Sequence, residues 1–193
     1  FPTRRSSDLM KMNSLSDTAM IEKLYEASNA GVEIHLLIRG ICNLKVGIPG
    51  VSDNITVHSI VGQLLEHSRI YYFYADGQEN VYLSSADLMN RNLSRRVELL
   101  FPILQDDIRE RIIKIFSIMW ADNVKTRILQ PDSTWVRAQL RGVTKLNAQA
   151  YFIEHAEAMG EALRREEVDD APEDLHATHT FIPITAPKED DDA

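Results

Sequence analysis

The sequence predicts an α/β domain, on three observations. A helical pattern from Ser16 to Ser28 ends at Gly31 and leads at once into the apolar run Val32–Ile38. Two runs of β-branched and aromatic residues, Ile70-Tyr71-Tyr72-Phe73-Tyr74 and Val81-Tyr82-Leu83, flank Asp76-Gly77, a common hairpin turn. A strong amphipathic helix then begins at Asp106-Asp107. Helix, glycine and buried strand make one α/β unit.

Ser16-Asp17 starts the first helix, with Ala19, Ile21, Leu24 and Tyr25 at helical spacing. The continuous apolar end Leu36-Leu37-Ile38 predicts a strand buried on both faces, hence parallel. Gly40 to Thr56 reads as a loop, and Ser59 to Glu66 as a short helix delivering His67 to the hairpin. Asn90 to Arg96 carries the basic cluster Arg91, Arg95 and Arg96, and Val97 to Ile103 reads as another buried strand. The helix from Asp106 runs through Ala121, with Ile108, Ile112, Ile115, Phe116 and Met119 on one face and its first acids suiting the helix dipole. Val124–Leu129 and Thr134–Leu140 flank Gln130-Pro131-Asp132-Ser133 as a second hairpin, and Ala148 to Arg165 forms a helix.

The net charge of −8 is unevenly placed. Residues 166–193 hold ten acids and one lysine, so the remainder carries +1. That tail, with three prolines and few core residues, is expected to be disordered. Residues 1–9 have neither apolar periodicity nor the apolar centre of a signal peptide. They look like the translation of a sequencing adapter, so an artefactual leader is expected, with the domain proper at 10–165. One cysteine, Cys42, excludes an internal disulfide framework. No apolar run approaches the roughly 20 residues of a membrane span. The expectation is a cytoplasmic protein, with peripheral membrane association left open.

The chemistry concentrates around the first hairpin. Pairing brings His67 and Arg69 towards Ser84 and Ser85. An imidazole, a guanidinium and two hydroxyls are what a phosphoryl group needs. Arg39-Gly40 follow the C-terminal end of a predicted parallel strand, where open α/β sheets bind ligands. Each residue also has a plainer reading. His67 can be structural, Arg39 a surface cation, and Ser84 and Ser85 ordinary turn hydroxyls. Arg69 can pair with Glu66 or Asp87, and Arg96 with Glu98. The Tyr71–Tyr74 run reads as packing, Cys42 as a buried small residue, and His176-x-x-His179 as no metal site. No glycine-rich phosphate loop is present.

The spacing resembles the half-site of the phospholipase D superfamily, His-x-Lys followed after a short strand by Gly-Ser-x-Asn. Here it stands as His67-Ser68-Arg69 and Ser84-Ser85-Ala86-Asp87, with Arg for Lys and Asp for Asn. The blocks Gly31–Cys42, Gly47–Gly50, Ser59–Ile70 and Tyr82–Leu93 together resemble the C-terminal part of long-form bacterial polyphosphate kinase, over roughly Lys11 to Arg137. The resemblance implies a phospholipase D-like mixed sheet flanked by helices, holding one half-site. It implies transfer of the ATP γ-phosphate to polyphosphate through a phosphohistidine in an upstream domain, so this chain alone is expected to be inactive. His67 would be the second, catalytic histidine. Arg39, His67, Arg69, Ser84, Ser85 and Arg96 would contact ATP or phosphate. Magnesium would arrive with ATP, without protein ligands in this chain. The implied partners are ATP or ADP, polyphosphate, the upstream domains and further copies of the chain, but no nucleic acid. The alternatives are a diverged phosphodiesterase or nuclease half-site, and a non-catalytic polyphosphate-binding module.

Overall fold

The computed structural model describes residues 6–75, 77–138 and 142–156. Two compact units divide the chain at Ile153, and the sheet and its covering helices lie in the first. The elements are β1 (Ser7–Met12), α1 (Thr18–Asn29), β2 (Glu33–Ile38), β3 (Ile55–Ile60), β4 (Ile70–Ala75), β5 (Gln78–Ser84), α2 (Asn90–Arg95), β6 (Leu100–Pro102), α3 (Asp106–Trp120), β7 (Thr126–Leu129) and β8 (Trp135–Arg137). Residues 148–156 are also helical. The strands form one mixed sheet in the order β6-β5-β4-β1-β2-β3-β7-β8. β1, β2 and β3 pair in parallel, and the flanking pairs are antiparallel.

Alternation along the central strands supplies both faces of the core. Met10, Met12, Leu36, Ile38 and Val57 join Leu24 of α1 in one cluster. Leu37 packs with Phe116, Met119 and Ala148 in a second, and Ile70, Tyr72 and Val81 pack with Ile112 in a third. The parallel strands are thus covered on both faces, as their continuous apolar sequence requires. Asp17 caps α1, its Oδ1 accepting from the Met20 amide at 3.1 Å. Gly31, at φ +91°, turns the chain into β2, a conformation in which a Cβ is strained.

The expected hairpin forms as β4 and β5, with Ile70 opposite Leu83 and Tyr71 opposite Tyr82. Tyr71 and Tyr72 are buried, as their packing role predicts. The second hairpin forms as β7 and β8, and α3 begins and ends within a residue of expectation.

Three segments differ from expectation. Ser7, Asp8 and Leu9, set aside as leader, pair with β2 and β4 in the middle of the sheet. Backbone ladders on both sides demand no side-chain periodicity. Burial consequently pushes the Asp8 carboxyl up to about 6. The expected Ser59–Glu66 helix is absent. β3 runs to Ile60, and residues 61–69 have no regular structure. His58 to Ile60 is instead drawn into pairing with β7, and the loop expected to Thr56 ends where β3 begins at Ile55. The expected buried strand Val97–Ile103 is an edge strand of three residues, Leu100–Pro102, all exposed. The helix expected to Arg165 is described only to residue 156, and the acidic tail lies outside the described residues.

Candidate functional site

The C-terminal ends of β1 and β2 lie side by side, so Asn13 and Arg39 meet there. Arg39 Nε donates to Asn13 Oδ1 at 2.8 Å, and the Gly40 amide donates to the Asn13 carbonyl at 2.7 Å. A Cβ on residue 40 would stand 3.1 Å from that carbonyl oxygen, so glycine allows the close approach. Lys11, one strand position before Met12, is only 3% exposed. Its Nζ donates to the Ser68 carbonyl at 2.9 Å and lies 3.3 Å from Glu66 Oε1. Burial lowers the Lys11 pKa, Glu66 opposes that shift, and the charges of Arg69 and Arg39 add to it.

His67 stands between these two anchors. Glu66 accepts from the Ser68 amide and hydroxyl at 3.2 and 2.6 Å. Arg69 Nη1 donates to the His67 carbonyl at 2.9 Å. The backbone around His67 is therefore fixed, while the residue itself is exposed. Among the described residues its ring has no hydrogen-bond partner.

Arg69 faces inward. Its Nε and Nη2 donate to Asp87 Oδ1 and Oδ2 at 3.0 and 3.3 Å, a bidentate pair. Asp87 also accepts from the Asn13 amide at 2.8 Å. Burial raises the Asp87 pKa, but hydrogen bonds from Arg69 and the Asn13 amide, with the Arg69 charge, bring it below the usual carboxylate value. The chain thus joins the ends of β1 and β4 to the segment after β5. Lys11, Arg39 and Arg69 bring three fixed cations against the carboxylates Glu66 and Asp87. The surplus is positive, beside an exposed imidazole.

Ser84, Ser85 and Arg96 stand elsewhere. Ser84 Oγ donates to the Leu99 carbonyl at 2.8 Å, and Ser85 Oγ donates to Glu98. Both hydroxyls thus brace the segment before β6. Arg96 lies 3.9 Å from Glu98 Oε1. Ser84 and Arg96 line a groove of about 940 Å³ with Met10, Tyr71 and Tyr82. Arg39 lines a small pocket of about 30 Å³ with Lys11, Glu66 and Gln149. The two linings share no residue. Hairpin pairing does bring the Ser84 amide to the Arg69 carbonyl at 3.2 Å, as expected. The side chains diverge from there.

Two residues of this site escape sequence reasoning. Lys11 is a lone cation in an apolar strand, and that burial is its only signal. Gln149 shows none. Its Oε1 accepts from the Leu64 amide at 3.1 Å and its Nε2 donates to the Leu64 carbonyl at 2.8 Å. A Cβ at Gly62 would lie 2.1 Å from Gln149 Oε1, so glycine is required for this clamp. Asp122 holds the clamp in turn, its Oδ2 accepting from the Ala148 amide at 2.8 Å.

The profile of the polyphosphate kinase C-terminal domain 2 family matches residues 3–149. The chain belongs to this family. It is 59% identical over 184 residues to a polyphosphate kinase of Lactiplantibacillus plantarum, covering 95% of this chain and 25% of the relative. It is 47% identical over 169 residues to one of Staphylococcus epidermidis, covering 88% and 23%. The crystal structure of the Porphyromonas gingivalis polyphosphate kinase superposes with a TM-score of 0.77 at 40% identity, over 82% of this chain and 24% of that one. The chain thus spans about a quarter of the length of these relatives. In this polyphosphate kinase domain no group of three or more His, Cys, Asp or Glu among the described residues is placed to hold a metal ion. No described helix is long and apolar enough to cross a membrane. His176 and His179 lie outside the described residues.

Proposed function

We propose that this chain is the C-terminal catalytic part of an ATP:polyphosphate phosphotransferase. The observation that supports this reading is that Lys11, Arg39 and Glu66 line one pocket at the C-terminal ends of the parallel strands β1 and β2, with exposed His67 next along the chain. Loose phosphoryl-transfer states gain mainly from positioning and fixed positive charge. Arg39 supplies that charge to non-bridging oxygens, with Lys11 reinforcing the field from behind. His67, as imidazolium, neutralises or protonates the bridging oxygen as it leaves. The attacking histidine, which carries the phosphoryl group as phosphohistidine, belongs to an upstream domain. Arg69 acts by holding the His67 carbonyl, Ser84 and Arg96 reach phosphate where a substrate extends into their groove, and Ser85 braces Glu98 beside it.

Magnesium is held by the nucleotide phosphates rather than by residues of this chain. Homo-oligomers, a cytoplasmic location and binding of ATP and ADP belong to the same proposal. The experiment is synthesis of acid-insoluble polyphosphate from ATP. This chain alone gives none, and His67→Ala in the full-length protein abolishes it while leaving the fold intact. Synthesis by the isolated chain, or near-normal synthesis by the variant, would refute the assignment.

A further inference from the structure

Residues 61–69 carry His67 from β3 to β4 without regular structure. Such a segment has no backbone ladder, so its place is set by the bonds other elements make to it. Gln149 holds Leu64 through both backbone groups, at 3.1 and 2.8 Å. Arg69 holds the His67 carbonyl at 2.9 Å. The residues on either side of His67 are tied to one buried side chain, that of Lys11. Its Nζ donates to the Ser68 carbonyl at 2.9 Å and lies 3.3 Å from Glu66 Oε1. That same carboxylate oxygen accepts from the Ser68 amide and hydroxyl.

Lys11 is a costly choice for packing. It stands opposite Leu37 of β2 and Ile70 of β4, and it lines its pocket with Leu37, Ile60, Met119 and Phe152. A methionine fills such a place without the desolvation that lowers the Lys11 pKa. Burial also raises the Glu66 pKa, but the Ser68 hydroxyl, the Lys11 charge and the Ser68 amide bring it below the usual carboxylate value. The carboxylate facing Lys11 is therefore ionised at neutral pH. What the buried cation supplies is a strut from the middle of the sheet to the backbone on both sides of His67. The His67 ring has no hydrogen-bond partner among the described residues, so that backbone sets where the imidazole stands.

We propose that Lys11 and Glu66 are positioning residues for His67, fixing the chain on both sides of it so that the imidazole meets the leaving oxygen. The proposal rests on the function proposed above and adds to it the device that places the histidine. It gives Lys11 a mechanical role beside its contribution to the field.

The test is steady-state polyphosphate synthesis by the full-length protein carrying Lys11→Met, Glu66→Gln, His67→Ala or Lys11→Met/His67→Ala, with unfolding midpoints and amide exchange. A misplacement of about 1 Å costs about 10²-fold, so Lys11→Met lowers kcat by about that factor, with KM for ATP within about twofold. Amide exchange at His67 and Ser68 quickens while the unfolding midpoint holds. In the His67→Ala background the same substitution lowers the residual rate less than about twofold, because Lys11 acts through the histidine. Glu66→Gln keeps an acceptor for Ser68 but not the charge facing Lys11, and it lowers kcat by about tenfold. Undiminished kcat in Lys11→Met would overturn the proposal. An equal loss with and without His67 would do so too, since Lys11 would then act on phosphate directly. Where Lys11→Met lowers the unfolding midpoint, Glu66→Gln decides, and full kcat in that variant overturns the proposal. Near-normal synthesis by His67→Ala alone would instead refute the function on which the proposal rests.

Discussion

Removing the Arg69 guanidinium by Arg69→Met leaves the Asp87 carboxylate, in a residue only 3% exposed, without its charged partner. The two hydrogen bonds lost are those at 3.0 and 3.3 Å, and the Asn13 amide at 2.8 Å remains. Breaking a buried ion pair from one side costs about 3–5 kcal/mol. The surviving backbone donor places this case near the lower end, about 3 kcal/mol, or a fall of roughly 6–12 °C in Tm. The sign with pH adds a second readout. In the wild type the Asp87 pKa is depressed, so its contribution is present above the ordinary aspartate value and is lost as pH falls through the folded value. In the variant, burial acts with Arg69 gone and raises the pKa, so the variant recovers stability as pH falls towards 4. Urea unfolding at pH 7 and pH 5 measures both effects, and Arg69→Met/Asp87→Asn restores much of the loss. A change under about 1 kcal/mol with an unaltered pH slope would show that the pair behaves as a surface ion pair.

Gly62→Ala drives a methyl into Gln149 Oε1 and releases the Leu64 clamp. Faster amide exchange at Leu64 with the global midpoint little changed is expected, and exchange as slow as wild type would refute the clamp. His58 stacks on Trp120 at 3.8 Å, and His35 meets the same indole edge-on at 4.8 Å. Burial, with His35 adding to it, pushes His58 down to about 4, so the unfolded state binds the proton first and stability falls as pH drops from about 6.5 towards 4. After allowance for its partial exposure the loss is about 1–2 kcal/mol, and His58→Gln flattens that slope in urea titrations. Asp8 has the opposite sign, with its raised pKa costing stability as pH rises from about 4 to about 6. Asp8→Val is therefore expected to raise the unfolding midpoint at pH 7, and a lowered midpoint would mean that the carboxylate has a favourable partner.

The parts of the fold legible in sequence are those in which side-chain pattern and backbone agree. The helix ended by Gly31, the doubly buried β2, both hairpins and α3 are of this kind. β1 begins in Ser7-Asp8-Leu9, where pairing on both edges overrides a polar pattern. The apolar positions before His67 read as a helix, yet His58 to Ile60 complete a sheet whose partner, β7, lies nearly seventy residues on. The position of Arg39 at the end of β2 and that of His67 just before β4 are legible from strand ends and hairpin spacing. The division of Ser84 and Arg96 into another groove is not, because it depends on hydroxyls bonding to Leu99 and Glu98 across the chain. Lys11 and Gln149 are invisible for the same reason, since each acts on backbone far away in sequence.

The most direct measurement is a double-mutant cycle of Arg39→Ala and His67→Ala on polyphosphate synthesis by the full-length enzyme. Each single change is expected to lower kcat by about 10²–10³, equivalent to roughly 2.7–4 kcal/mol. With both groups acting on one transferring phosphoryl unit, as proposed, the double variant should lose little more than the worse single variant. Losses that multiply in full would show that Arg39 and His67 serve separate sites.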